Sequence, residues 1–326
     1  MAHRKRRELV LAAALLPFHG VAAQTAKLRR IGFLGSGSAA AMVEPTEAFK
    51  AGLRDFGYIE GKNISVEYRW GDGSPERLAR FAAELLDLRV ELLVVWATPA
   101  ALAVKRLSKT IPVVMVSVGD PVNTGLVADL ARPRGNFTGM ANLNETLIPK
   151  QLELLTQVLP GISRVAILHN PDNPSLASQL ASAQAGARAL GIQPHVVPVR
   201  APNDIDKAFS AVASVGAAAV LVLSDPIHLS ERQRIADLAI AQRLPTVFSR
   251  SENVQAGGLI SYGASIVEQF RGGAKYVDKI LRGANPADLP VEQASTFEIV
   301  INMKTAQLVG ARIPANLVLR ADRVVR

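Results

Sequence analysis

The sequence predicts an α/β protein made of two doubly wound parallel-sheet lobes, and three observations predict it. Strand-like and helix-like segments alternate along the chain, the pattern of parallel sheets with helices on both faces. The strand candidates are short uninterrupted apolar runs such as "ELLVVW" and "AAVLVLS", as expected of strands buried on both sides. The pattern also starts twice: 81 positions separate Ile31 from Pro112 and 80 separate Val165 from Pro245, each span running from the first strand of a half to the start of its fourth. Two copies of one unit are the simplest account.

In the first half, "RIGFLGSG" reads as a strand ending in a Gly-rich turn, and "AFKAGLRDFG" as an amphipathic helix closed by Gly57. "NISVEYRW", "ELLVVW" and "IPVVMV" supply further strands, with "PERLARFAAELLDL" and "AALAVKRL" as the helices between them. After the run Leu92 to Trp96, Thr98 is placed to cap a helix whose first position is Pro99, with Ala101, Val104 and Leu107 at helical spacing. The second half opens on the strand "RVAILHN". A helix follows with Leu176, Leu180, Ala183, Ala187 and Leu190 on one face, then the strands "HVVPV", "AAVLVLS" and "LPTVFS".

Composition narrows the function classes. The chain has 326 residues, 49% hydrophobic and 20% charged, which suits two well-packed globular domains. Aromatics make up 5%, so no stacking platform for single-stranded nucleic acid is evident. The net charge is +9, but Arg4, Lys5, Arg6 and Arg7 face only Glu8 in the first 23 residues; beyond them 33 basic and 27 acidic residues leave +6, dispersed rather than clustered. That balance favours anionic ligands and argues against nucleic acid as a partner. "HRKRRE", then "LVLAAALLPFHGVAA" with Val21-Ala22-Ala23, has the basic, apolar and small-residue regions of a signal peptide over residues 1–23. The apolar run is too short for a membrane span and contains Pro17 and His19. Arg6-Arg7 also leaves a twin-arginine route open. With no cysteine there are no disulfides, no thiol nucleophile and no lipid-modified cysteine. A soluble periplasmic protein, acting as a monomer without a cofactor, is the expected product.

Open α/β sheets bind ligands beyond the carboxyl ends of their strands, and two facing units form a cleft. Each half loads those ends with polar residues: Ser36, Thr98 and Asp120 in the first, Asn170, Asp225 and Glu252 in the second.

The blocks "RRIGFLGSGS", "GLRDFGYIEGKNISVEYRWGDG", "ATPAALAVKRLSKTIPVVMVSVGDPVNTGLVADLARPRGNFTGM", "AGGLISYG" and "YVDKILRGANPADLPVEQASTFEIVINMKTAQLVG" resemble the ABC-transporter substrate-binding proteins related to the tryptophan-binding receptor. The likeness runs from about Leu28 to Arg326. It implies a type I periplasmic binding protein whose lobes close about a hinge on a small ligand, an amino acid or organic carboxylate, and present it to an ABC permease at the membrane. It also implies three crossovers, near Asn142, Tyr262 and Arg282. The first lobe would hold residues 28–142 with 263–282, and the second 143–262 with 283–326.

On that resemblance the helix start at Thr98 becomes a site for the ligand's anionic head, since free N–H groups and the helix dipole both favour it. Ser36 and Gly37 lie where backbone can approach a ligand, or simply form a βα turn. Asp225 is the preferred partner for a ligand ammonium. Asp120 and Asp225 both precede proline, and Asn170 sits in "HNPDNP", so all three also suit turns. Asn142, Glu252 and Tyr262 complete the expected ligand set. Two departures from the family bear on the ligand: Trp96-Ala97 stands before "TPAA" where many relatives have a small residue, and "SENVQAGG" replaces the usual "REFVEAGG", bringing in Asn253 and Gln255.

Other classes fit less well. Gly35, Gly37 and Ala40 satisfy the dinucleotide pattern G-x-G-x-x-A, which would make the protein an exported NAD(P)-dependent dehydrogenase, but Glu67 lies 32 residues beyond Gly35 rather than about 20. His169, His195 and His228 have no zinc-site spacing, although His169 and His228 follow corresponding strands. No hydrolase elbow is present. The sequence also admits a ligand sensor that signals to a membrane receptor.

Overall fold

The computed structural model describes residues 28–142 and 144–326; the leader expected over 1–23 lies outside the described residues. The first sheet is laid down by β1 (Arg29–Gly35), α1 (Val43–Asp55), β2 (Ile64–Trp70), α2 (Pro75–Asp87), β3 (Leu93–Trp96), α3 (Thr98–Leu107), β4 (Val113–Gly119) and β5 (Phe137–Asn142). There follow α4 (Asn144–Val158), β6 (Arg164–His169), α5 (Leu176–Ala189), β7 (Gln193–Pro198), α6 (Ile205–Ser214) and β8 (Ala219–Val222). Then come α7 (Pro226–Ser230), α8 (Arg232–Ala241), β9 (Thr246–Phe248), α9 (Ser251–Gln255) and β10 (Ile260–Gly263). The chain ends with α10 (Ile266–Leu281), β11 (Glu292–Gln293), β12 (Glu298–Asn302), α11 (Met303–Val309), α12 (Ala315–Arg320) and β13 (Arg323–Val325).

The two sheets run β2-β1-β3-β4-β5-β11 and β7-β6-β8-β9-β10-β12-β13, so both use the doubly wound order 2-1-3-4-5 before their last additions. Every ladder is parallel except β10 with β12. The duplication read from the spacing is therefore a duplication of topology.

Alternate side chains explain why the strands read as continuous apolar runs. Val94 and Trp96 of β3 enter a core with Phe49 and Phe270, under α1 and α10, whereas Leu93 and Val95 enter another with Leu85 and Val104, under α2 and α3. In the second lobe Val165 and Ile167 pack with Leu152 and Ala183, and Ala166 and Leu168 with Phe209 and Ile235. Each of the Val, Leu, Ile and Phe side chains among these contributes roughly 1.5–3 kcal/mol by leaving water.

The chain passes between the sheets after Asn142, after Gly263 and after Gln293. Helix α4 then packs on α5 of the second lobe, and α10 on α1 of the first. The last crossing corrects the expectation near Arg282. Residues 283–293 stay with the first lobe because β11 pairs with β5, Thr138 Oγ1 donates to Leu289 O (2.7 Å) and Tyr276 OH to Pro290 O (2.8 Å). A two-residue strand leaves too little periodicity to be read from sequence.

The lobes touch through α7 and through Arg250, which follows β9. Leu229 joins the first lobe's core beside Trp96, Ser38 N donates to Ser230 Oγ (3.2 Å), and Arg250 Nη2 donates to Ser117 Oγ (2.8 Å).

Candidate functional site

A cavity lies between the carboxyl edges of the two sheets. The first lobe lines it with Trp96, Ala97 and Thr98 after β3, Ser117 and Gly119 at the end of β4, and Asn142 at the end of β5. The second lobe contributes Asn173, Gln179, Ser224, Asp225, Leu229 and Arg250, among others.

The first wall is neutral and tightly tied. Ala97 has φ +67° and ψ 162°, a region almost confined to glycine, and it turns β3 directly into α3. The cap of α3 comes from another strand: Ser36 Oγ accepts from Ala100 N (2.9 Å) and donates to Trp96 O (3.0 Å). Thr98 therefore does not cap its helix, as its place before Pro99 had suggested; it is the first helical residue. Its hydroxyl donates to Gly119 O (3.0 Å) and accepts from Gly119 N (3.1 Å), tying the start of α3 to the end of β4. Ser117 sits at φ +51° in an irregularity of the β4–β5 ladder, which turns one polar side chain out of an apolar strand toward the cavity. Asn142 Nδ2 donates to Ser117 O (3.2 Å), while its Oδ1, like Trp96 Nε1, is buried without a partner among the described residues.

The second wall carries both charges. The Asp225 carboxylate accepts from Ile227 N (2.9 Å), capping the short α7, and from Asn170 Nδ2 (3.2 Å) and Asn173 Nδ2 (2.9 Å). A carboxylate offers about four lone-pair sites, so capacity for a further donor remains. Arg250 is only 8% exposed, yet no ion pair to a carboxylate is found for it or for Asp225 among the described residues. Of its five N–H donors, Nη2 goes to Ser117 and Nε to Ser224 Oγ (3.3 Å). Burial lowers the pKa of the Arg250 guanidinium, opposed by the charge of Glu252. A buried cation and a buried anion thus face one cavity, each held by neutral groups.

Of the residues expected at the site, the structure gathers Thr98, Asn142 and Asp225 around this cavity. The others stand elsewhere. Ser36 is spent on the cap of α3, and with Asn170 and Pro99 it lines a neighbouring cavity that shares Asn173 and Asp225 with this one. Gly37 packs at the lobe contact, where a Cβ would come 2.9 Å from both Ser230 Oγ and the Trp96 ring. Asp120 closes a turn at φ +46°, its Oδ1 accepting from Asn123 Nδ2 (2.8 Å). Glu252 faces an outer groove with Ser38 and Glu44, and burial pushes its carboxyl up. Tyr262 packs its ring on Phe297, and its carbonyl accepts from Gln151 Nε2 (2.9 Å).

Arg250, Ser117, Asn173 and Gln179 were not anticipated. Arg250 had a signal, a lone arginine two positions after the run "PTVF"; Ser117 had none, sitting inside "VVMVSVG".

The dinucleotide pattern also has another explanation. A Cβ on Gly35 would meet the Trp70 ring at 2.3 Å, so these glycines make room for indoles, and Glu67 pairs with Gly32 in mid-strand. His228 is buried, its Nδ1 2.8 Å from Leu223 O, and burial together with His228 lowers the pKa of His169. No group of three or more metal-ligating side chains occurs among the described residues.

Comparison with known proteins places these features. The family model described as "ABC transporter substrate binding protein" matches residues 35–325. A tyrosine-binding protein of Clostridioides difficile (strain R20291) is 25% identical over 260 residues, 79% of this chain and 74% of that protein. Among solved structures, a conserved domain protein from Vibrio cholerae O1 biovar El Tor superimposes with a TM-score of 0.87 at 27% identity, covering 91% of this chain and 100% of that one. A Streptococcus pneumonia ABC domain in complex with L-Trp gives a TM-score of 0.86 at 27% identity, over 92% and 100% of the respective chains.

Proposed function

Because the chain belongs to the ABC transporter substrate-binding protein family, we propose that it is an exported receptor that holds an α-amino acid between its lobes and presents it to a membrane permease. The observation that carries this reading is the pair Arg250 and Asp225, two buried opposite charges on one cavity, neither engaged in an ion pair among the described residues. A buried charge without a counter-charge costs several kcal/mol. A zwitterion offsets both costs at once, its carboxylate on the free N–H groups of Arg250 and its ammonium on the remaining capacity of Asp225. Thr98 and Asn142 border the same space from the other lobe. The ligands named for two relatives, tyrosine and L-Trp, belong to this chemical class.

The three crossings form the hinge of this reading, and the contacts of α7 with the first lobe are those that ligand exchange breaks and remakes. Export rests on the basic and apolar leader; no helix among the described residues is long and apolar enough to cross a membrane.

The test is thermal unfolding of residues 24–326 with each proteinogenic amino acid, simple carboxylates and NAD(P). A true ligand at a hundredfold excess over Kd adds about 2.7 kcal/mol. Stabilisation by at least one amino acid is expected, lost in Arg250→Met. A response to NAD(P) alone, or to none of the amino acids, overturns the reading.

A further inference from the structure

We propose that the side chain of this ligand is a small hydrogen-bonding group, a carboxamide or hydroxyl, and not an aromatic ring. The proposal rests on the amino-acid reading above and concerns what the first lobe adds to it.

The apolar part of the cavity is already filled by Trp96. Its indole is 1% exposed, sits 6.3 Å centroid to centroid from both Trp70 and Phe270, and packs on Gly37 so closely that a Cβ there would lie 2.9 Å from the ring. Leu229 covers it from the other lobe. The ring cannot swing aside without displacing all of these neighbours, because packed interiors have few voids to receive it.

The remaining wall consists mainly of hydroxyls and amides, including Ser117, Asn142, Ser175, Gln179 and Ser224. Ser117 and Ser224 accept from Arg250, Ser175 Oγ donates to Asn173 Oδ1 (2.9 Å) and Gln179 Oε1 accepts from Ser224 N (3.2 Å), so this wall is a polar surface already knitted together, and an aromatic ring would leave its remaining hydrogen-bond capacity unfilled. Two atoms ask for specific complements. Trp96 Nε1 is donor-only and Asn142 Oδ1 acceptor-only, both buried without partners among the described residues. The bond from Asn142 Nδ2 to Ser117 O fixes which end of the amide is free. A carboxamide or hydroxyl on a short stem supplies an acceptor for the first and a donor for the second.

Calorimetric titration of residues 24–326 with L-Asn, L-Gln, L-Ser, L-Thr, L-Phe, L-Tyr and L-Trp tests this. At least one of the first four is expected to bind tenfold or more tightly than every aromatic. Trp96→Phe keeps a ring while deleting the donor, and Asn142→Ala deletes the acceptor. Each should weaken the preferred ligand about tenfold and change aromatic binding less than twofold, with the ligand-free thermal midpoint confirming that the variant is folded. An aromatic amino acid binding as tightly as the polar ones overturns the proposal and leaves the amino-acid receptor standing. Both variants keeping full affinity for the polar ligand overturns it as well, and so does binding of none of the seven, in which case the thermal screen of all the amino acids decides separately whether the receptor reading stands.

Discussion

At the end of β3 the first lobe places Thr98, a neutral hydroxyl whose one donor is spent on Gly119 O; at the end of the corresponding β8 the second lobe places Asp225, a carboxylate with acceptor capacity left over. The next strand repeats the contrast: β4 ends in Ser117 and Gly119, β9 in Arg250. One topology has thus been given two walls, a neutral one fastened to itself and a charged one fastened to neutral donors and acceptors. A strand-end position makes a site available, and the charge and free hydrogen-bonding groups of the side chain placed there decide what it can hold. On the proposed function, the second wall fixes the zwitterionic head and the first reads the side chain.

Removing each charge of the second wall in turn should have the largest consequences. Arg250→Met deletes a buried cation that forms no ion pair among the described residues. The ligand-free protein should unfold in urea within about 1 kcal/mol of the parent, or later, because no carboxylate loses an ion-pair partner and the relieved desolvation of the guanidinium offsets the two bonds lost from Ser117 and Ser224. Amino-acid affinity should fall by about 2–5 kcal/mol, roughly thirtyfold to several thousandfold, in calorimetry. A ligand-free loss above about 2 kcal/mol would make Arg250 a structural residue instead. Asp225→Ala should behave differently. It strands the amides of Asn170 and Asn173 and the N–H of Ile227, so the ligand-free protein should lose about 1–3 kcal/mol in the same urea assay even before binding is tested.

These two residues also show how far the sequence could be read. Asp225 was visible because a polar residue closing an apolar run, followed by proline, marks a strand-to-helix turn at a carboxyl edge. Both sheets were legible for a similar reason, since strands covered on two faces leave unbroken Val and Leu runs. Arg250 occupies the equivalent edge position, yet a lone arginine there looks like solvated surface until its 8% exposure is known. The tie of Ser36 to α3 was not legible, because its bond to Ala100 N spans 64 residues and leaves no local pattern. Ser117 depends on an irregular ladder, and the last crossing on a two-residue strand, neither of which has periodicity.

A smaller effect probes how the first wall is held. Ala97 adopts φ +67°, where a side chain is strained, so Ala97→Gly should stabilise the protein by about 1 kcal/mol in urea unfolding. Ala103, equally buried at 8% but inside α3, supplies the opposite control. Ala103→Gly should cost about 1 kcal/mol. If both substitutions destabilise, the turn after β3 is not strained and the rigidity of this wall has another source.

Acid pH should separate the two lobes by a smaller margin. Residues 28–142 and 266–293, which build the first lobe, contain no histidine, so acidification through the histidine range acts on the second lobe. Burial, and next the charge of His228, push the His169 imidazole below its ordinary range; Asp225 pulls it back and Arg200 adds to the lowering. A folded-state pKa below the unfolded one means that the neutral ring contributes stability above the unfolded value of about 6.5, and that this contribution is lost as pH falls through the folded value. The parent should therefore lose more thermal stability than His169→Gln between pH 7.5 and 5, with the difference confined to the acid side of that window. Melting curves whose separation is the same at every pH would mean that His169 is solvated like a free imidazole and that the charged wall is not coupled to it.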